Sequence, residues 1–207
     1  MLAVLCLVFA GCSMRDFLTR RLASQLINDS SAFKSGQQFF LRTGIVSNEQ
    51  YVSPEYMVLQ RRGWITGVSV PCSTPASSRP GSLAARASTS SAPACWDVAL
   101  TPIGVETVQP LLPKNAGPSQ YFPITTARRE LIAVTGVSRS GSLADVDFTW
   151  KWVPDNEMGA ALVPEGVVHT STVQFKHYDD GWRLIETAQA RTSQSMEDAL
   201  KASETAR

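Results

Sequence analysis

The chain has 207 residues, of which 43% are hydrophobic and 18% charged. These fractions are typical of folded soluble domains and exclude a fibrous or wholly disordered protein, and the length suits one ordinary domain or two small ones. Nineteen basic residues against eighteen acidic ones give a net charge of +1. So small a charge produces no strong field to attract a polyanion, and we expect no nucleic-acid partner.

The first twelve residues indicate export. Leu2 to Ala10 form an almost uninterrupted apolar run that is followed by Gly11 and Cys12. The run is far shorter than the roughly 20 apolar residues of a membrane-spanning helix and is typical of the apolar region of a signal peptide. Phe9-Ala10-Gly11-Cys12 resembles the lipobox of bacterial lipoproteins, in which a cysteine is diacylated and becomes the new N-terminus. The resemblance implies a signal peptide at 1–11 and a lipid anchor on Cys12.

Three further features bear on this resemblance. Phe9 stands where the lipobox usually has leucine, and no Lys or Arg precedes the apolar run, so we expect the true start codon to lie upstream. Ser13 follows the cysteine, which in Gram-negative members of this class implies sorting to the outer membrane, facing the periplasm. The alternative is a cytosolic protein whose first residues form a buried helix.

If the protein is exported, Cys72 and Cys95 are the two cysteines that remain to pair, and we expect them to form a disulfide bond. A loop of this length contributes roughly 3 kcal/mol of stability by the chain-entropy estimate. The alternative is two free buried thiols in a cytosolic protein. Neither cysteine has a Cys or His neighbour at metal-ligand spacing, so no metal site is predicted.

The first half of the chain alternates helices and strands. We predict an amphipathic helix over Arg15 to Ile27 and a short strand at Gln37 to Leu41. Ser53-Pro54-Glu55 is typical of a helix start, and Gly63 is expected to end that helix. A β-hairpin follows, and within it residues 73–94 form a Ser/Ala-rich insertion that is predicted to be disordered.

Part of this region resembles winged-helix domains. The segment Leu59-Gln60-Arg61-Arg62-Gly63-Trp64-Ile65 is similar to the end of their recognition helix, and Val98-Ala99-Leu100-Thr101-Pro102-Ile103-Gly104 to the strand after the wing. The resemblance implies a winged-helix-like domain over 12–108, in which Arg61 and Arg62 match positions that contact DNA. Export and the small net charge favour a scaffold or protein-contact role instead.

The second half of the chain indicates an antiparallel sheet. A proline-rich linker at 109–123 precedes a predicted β domain at 124–187 with about four strands, and a tail at 188–207 ends the chain. Asp179-Asp180-Gly181 predicts a hairpin turn. The fold class is therefore α+β, with a helical, winged-helix-like N-terminal part followed by this sheet.

Aromatic side chains are the most conspicuous candidates for a site. Four of them could line a concave ligand pocket or form the core of the sheet, and these are Phe148, Trp150, Trp152 and Trp182. His169 and His177 lie eight residues apart on one strand, about 26 Å at strand rise, which is too far for a shared metal. No catalytic residue, metal or cofactor is predicted.

These observations favour a lipid-anchored envelope lipoprotein that acts without catalysis, through binding an envelope protein or a small ligand. Two alternatives remain. The first is an envelope hydrolase with a site that residue spacing does not reveal, for which a perturbed histidine or carboxylate in a pocket would be the signature. The second is a cytosolic winged-helix regulator that binds DNA.

Overall fold

The computed structural model describes residues 17–72, 94–111, 121–186 and 195–205. It has a mixed α+β fold, which confirms the predicted class. The described helices are α1 (Arg20–Asp29), α2 (Ser31–Lys34), α3 (Asn48–Tyr51), α4 (Pro54–Arg61), α5 (Pro102–Val108), a 3-10 turn (Gln109–Leu111), α6 (Glu157–Leu162) and α7 (Met196–Thr205). The described strands are β1 (Gln37–Arg42), β2 (Gly44–Ser47), β3 (Ile65–Pro71), β4 (Ala94–Leu100), β5 (Tyr121–Ser140), β6 (Leu143–Pro154), β7 (Val168–Tyr178) and β8 (Gly181–Leu184).

The strands form two sheets. One has five strands in the order β1-β5-β6-β7-β8, and the other has three in the order β2-β4-β3. The four C-terminal strands were predicted, but the predicted count of about four for the sheet omits β1. That strand pairs antiparallel with the first residues of β5, from Arg42 opposite Tyr121 to Gln37 opposite Ala127. No short-range pattern predicts a pairing over so many residues.

The chain forms two compact units, and neither is a continuous segment. Among the described residues, unit 1 contains 17–36, 128–153, 166–186 and 195–205, and unit 2 contains the rest. The sequence had instead suggested continuous domains at 12–108 and 124–187. The last residues of the linker expected at 109–123 already belong to β5, which begins at Tyr121.

The N-terminal half does not form the expected winged-helix part. In such a domain the first helix would pack with the helices that follow it, whereas α1 and α2 belong to unit 1 and α4 to unit 2. β1 pairs with β5 in the five-stranded sheet and is not part of the sheet that β2, β3 and β4 form. The local predictions around the hairpin are nevertheless confirmed: Ser53 caps α4, Pro54 occupies its first turn and Gly63 follows its end with a φ of 69°.

The core of unit 1 follows the predicted alternation in β6. Val146, Phe148 and Trp150 point inward and are fully buried, while Asp145 and Asp147 are exposed. The helix predicted over Arg15 to Ile27 begins later, at Arg20, because the Thr19 hydroxyl oxygen accepts a hydrogen bond from the Leu22 amide and caps it there. The predicted tail contains α7, whose residues Met196, Ala199 and Leu200 are buried in the same core.

Unit 2 has its own core. It is built from β1 to β4, from the first residues of β5 and from the helices α3 to α6, with Leu41, Val46, Leu59, Val98, Val108, Ile124 and Met158 almost completely buried. The hairpin of β3 and β4 pairs Ile65 with Leu100 and Pro71 with Ala94. The insertion predicted at 73–94 lies, apart from Ala94, outside the described residues. Within the described part of the chain, no helix combines the length and apolar character that crossing a membrane requires.

Candidate functional site

The structure places the predicted aromatic stripe mainly in the core of unit 1. Phe148 and Trp150 are fully buried, Trp182 is 5% exposed, and Trp152 packs partly buried against the same cluster. The Phe33 ring of α2 meets both Phe148 and Trp150 edge-on, with ring centroids 6.4 Å apart in each case. The stripe therefore packs α2 against the sheet. The open pocket of unit 1 is lined by other residues.

That pocket has a volume of about 520 Å³. Its walls come from α2, from β5, from Glu186, which lies two residues after the end of β8, and from α7. The polar and charged side chains in these walls include Ser31, Arg129, Glu186, Glu197, Lys201 and Glu204. Three carboxylates and two cations thus face a space large enough for a small molecule.

Arg129 of β5 is the most constrained of these side chains. It is 11% exposed, and its Nη1 donates to the carbonyl oxygens of Ala32 at 2.8 Å and Ser35 at 2.9 Å. Its Nη2 forms an ion pair with Glu204 Oε1 at 3.0 Å. The guanidinium carbon lies 4.3 Å from the Trp152 ring centroid, a cation–π contact. Arg129 therefore ties α2, α7 and the aromatic stripe together, and its charge is already compensated.

Glu186 forms a second fixed contact in the pocket. Its Oε1 accepts from the Ser31 amide at 3.1 Å, and its Oε2 accepts from the Ser31 hydroxyl at 2.8 Å. These two bonds attach the chain after β8 to the first turn of α2, where a carboxylate satisfies an amide that has no partner within the helix.

The charged groups of α7 differ from the two fixed ones. Glu197 and Lys201 lie one helical turn apart and both line the pocket. Within the described part of the chain, their carboxylate and ammonium groups form no hydrogen bond or ion pair. They are consequently the charges that a bound molecule could meet without displacing an internal contact.

His169 has a packing role. It is 5% exposed and stacks on Trp150, with ring centroids 4.4 Å apart. Its Nδ1 lies 3.1 Å from the Ser203 carbonyl oxygen, which can only accept, so Nδ1 holds the proton. Its Nε2 is buried and meets no hydrogen-bond partner among the described residues. His177, eight residues along β7, packs against Trp182 at 4.9 Å.

Unit 2 contains a buried tyrosine network. The Tyr56 hydroxyl accepts from the Arg42 amide at 2.9 Å and from Gln50 Nε2 at 3.1 Å, and donates to the Arg42 carbonyl at 3.0 Å. Burial raises the pKa of Tyr56, and the hydrogen bonds to Arg42 and Gln50 oppose that shift. Arg61 and Arg62, the basic positions singled out in the sequence, are exposed at the end of α4.

The predicted disulfide is present. Cys72 and Cys95 are bonded, with their Cα atoms 5.0 Å apart, and Cys95 lies in β4 opposite Val70 of β3. The residues that the structure describes contain no group of three or more His, Cys, Asp or Glu side chains that could hold a metal ion. Cys12 and the predicted signal peptide at 1–11 lie outside the described residues.

Sequence reasoning missed the pocket. Arg129 and Glu204 are 75 residues apart in the chain, and Ser31 and Glu186 are 155 apart. The one signal in the sequence was the four-residue spacing of Met196 and Leu200, which is typical of a helix with one apolar and one polar face. Comparisons with protein families, curated proteins and solved structures find no match for this chain.

Proposed function

We propose that this protein is a lipoprotein of the bacterial cell envelope, anchored through Cys12, that acts without catalysis by binding a small polar ligand in the pocket of unit 1. The disulfide bond between Cys72 and Cys95 is the observation that supports its location most strongly. Cytosolic thiols are kept reduced, whereas exported proteins form disulfides as they fold. The bond joins Cys72, the residue after β3, to Cys95 of β4 at the base of the long insertion. A bond at this place lowers the conformational entropy of the unfolded chain.

The charges of the pocket support a ligand with a positively charged group. Arg129 is compensated by Glu204 and by two carbonyl oxygens, so it adds little positive potential to the open space. The remaining charges of the pocket are the carboxylates of Glu186 and Glu197 and the ammonium of Lys201, so negative charge exceeds positive charge. A primary amine or an amino acid satisfies this arrangement, with its ammonium near Glu197 and any carboxylate near Lys201.

The location is tested by intact mass measurement on the full-length protein expressed in bacteria and extracted from their membranes. We expect loss of residues 1–11, a diacylglyceryl adduct on Cys12, and two sulfurs that become alkylatable only after reduction. A Cys12→Ser variant provides the control, because it should not be lipidated. An unlipidated wild-type chain with two free thiols would contradict the proposal.

The binding role is tested by thermal unfolding of the mature protein with spermidine, lysine and glycine as probes. Binding at about 100 times Kd stabilises a protein by about 2.7 kcal/mol, which corresponds to several degrees in Tm. The Glu197→Gln variant should lose at least half of the shift, and Glu165→Gln, a matched change outside the pocket, should keep it. The binding role is wrong if no probe raises Tm, or if both variants respond like the wild type.

A further inference from the structure

The strand β3 is an open edge of the three-stranded sheet in unit 2. It pairs with β4 alone, from Ile65 opposite Leu100 to Pro71 opposite Ala94. In an antiparallel pair, every second residue of a strand points its N–H and C=O groups away from the partner. Within the described part of the chain, no hydrogen bond outside the pairing with β4 involves a residue of β3. β3 therefore presents unpaired backbone donors and acceptors to a further strand.

The residues of β3 leave this edge almost unprotected. Natural edge strands usually avoid association through lysine or other charged side chains, proline, a bulge or a short length. β3 contains no charged residue, its register with β4 is continuous, and Pro71 occurs only at its end. It is also the longest of the four described edge strands, since β1 has six residues and β2 and β8 have four each. Of these edges, β3 is therefore the best suited to accept a strand.

The outer face of the sheet beside this edge carries exposed apolar side chains. Val68 of β3, Asp97 of β4 and Ile45 of β2 form one row across the three strands. Val68 is 66% exposed, the largest value among the large apolar side chains of the described residues, and Ile45 is 47% exposed. A strand added beside β3 would cover Val68, and such burial of apolar surface is favourable.

The sequence of β3 suits pairing with a second copy of itself. Val68 is the middle residue of the seven, so antiparallel pairing over the whole length places it opposite Val68 of the second copy. Thr66 then lies opposite Val70 of the second copy, on the same face. These side chains are β-branched, and such side chains pack well against their neighbours on a sheet. Each contact occurs twice, as the twofold symmetry of a homodimer requires.

The charges around the edge also permit this arrangement. Asp97 lies one strand behind Val68 and is exposed. In the paired arrangement three strand spacings, about 14 Å in total, separate Asp97 from its equivalent in the second copy. That distance exceeds the Debye length of about 8 Å at physiological ionic strength, so their repulsion is largely screened. An uncharged edge has no charge with which to select a basic or acidic segment of another protein, which favours a second copy as the occupant.

We infer that two copies of this protein associate through β3, which pairs antiparallel with β3 of the second copy about a twofold axis at Val68. The two three-stranded sheets then form one sheet of six strands. This inference depends neither on the pocket of unit 1 nor on the anchor at Cys12. A pair of seven-residue strands is smaller than a standard protein interface, which buries about 1,600 Å², so the dimer forms weakly and reversibly.

Cysteine cross-linking tests the register of the pair. The full chain purified from bacteria in mild detergent receives Val68→Cys or, as the matched control, Thr66→Cys, and both positions are exposed. In the dimer the two cysteines at 68 face each other, whereas those at 66 are four residues out of register, about 14 Å apart along the strands. Under mild oxidation we expect the Val68→Cys variant to form a disulfide-linked dimer at least fivefold faster. Equal rates, or no linked dimer in either variant, would overturn the inference.

Lysine substitution tests the edge without a new cysteine. Sedimentation velocity over a range of concentrations should show a reversible dimer for the wild type. Val68→Lys places a charge at the centre of the pair and should raise the dissociation constant at least tenfold. Ile45→Lys, a similar change on the same face two strands away, should leave it unchanged, and circular dichroism shows that both variants are folded. A monomeric wild type, which would leave the edge to a segment of another protein, or equal effects of the two variants, would contradict the β3 dimer.

Discussion

Gly104 in α5 lies so close to the carbonyl oxygen of Trp64 that a Cβ atom at position 104 would be 1.9 Å from it. The same oxygen accepts a hydrogen bond from the Thr101 amide at 3.0 Å, so it cannot move away without breaking that bond. Only glycine permits this close approach between the first turn of α5 and Trp64, the residue that precedes β3.

We therefore expect Gly104→Ala to lower the free energy of unfolding by about 2–3 kcal/mol, since a backbone atom must shift to relieve the overlap. Urea denaturation followed by circular dichroism measures the change. Gly136→Ala is the control: its nearest neighbour is the flexible carboxylate of Asp147, 2.9 Å away, and it should cost less than about 1 kcal/mol. Equal losses in the two variants would contradict the role of the close approach.

The buried indole of Trp150 gives a second prediction. Its Nε1 donates to the Ser171 hydroxyl at 2.9 Å, and that hydroxyl donates to the Ala199 carbonyl at 3.3 Å. Ser171→Ala leaves the indole N–H without a partner and should lower stability by about 1–3 kcal/mol. In a Trp150→Phe background the same change should cost clearly less, as a double-mutant cycle by chemical denaturation would measure. Identical costs in both backgrounds would mean that this hydrogen bond contributes nothing.

The buried side chain of Tyr56 leads us to predict a loss of stability at alkaline pH. Its pKa is raised in the folded protein, mainly by burial, so the folded state holds the phenolic proton more tightly than the unfolded state does. The corresponding stability is fully present below about pH 10, the pKa of an unperturbed tyrosine, and is lost as the pH rises through the folded value. Tyr56→Phe should flatten the pH dependence of Tm above pH 10. An unchanged slope in this variant would assign the effect to other groups.

Arg129 supplies the fourth prediction. Because its two Nη atoms bond α2 and α7 at once, a lysine with a single ammonium cannot replace it, and Arg129→Lys should lower stability by about 2 kcal/mol. Hydrogen exchange should show the loss as faster amide exchange in α2 and α7. Arg128→Lys, at the adjacent exposed position on the other face of β5, is the control and should stay within about 0.5 kcal/mol of the wild type. A similar change in both variants would refute the bridging role.

Several parts of the structure could be predicted from local sequence. Ser53, Pro54 and Gly63 determine the bounds of α4 through a cap, a fixed φ and a positive φ, each of which depends on one residue. The alternation of Val146, Phe148 and Trp150 predicts the buried face of β6, because side chains in a strand point to opposite faces in turn. The disulfide followed from the count of cysteines once export was assumed.

Tertiary structure decided the rest. β1 pairs with β5 although more than eighty residues separate Gln37 from Ala127, and this pairing, with the assignment of α1 and α2 to unit 1, replaced the expected winged-helix part. The sequence of α7 is polar and small enough to resemble a tail, and its three buried side chains find partners only in the folded sheet.

The pocket has the same origin. Arg129, Glu186 and Glu204 belong to distant segments, and their polar character alone is compatible with an exposed loop or helix face. Local sequence therefore determines where helices, strands and turns form, because hydrogen bonds and dihedral angles of neighbouring residues control them. Which strands pair, and which charged groups meet, depends on burying apolar surface from all segments at once, a property of the whole chain.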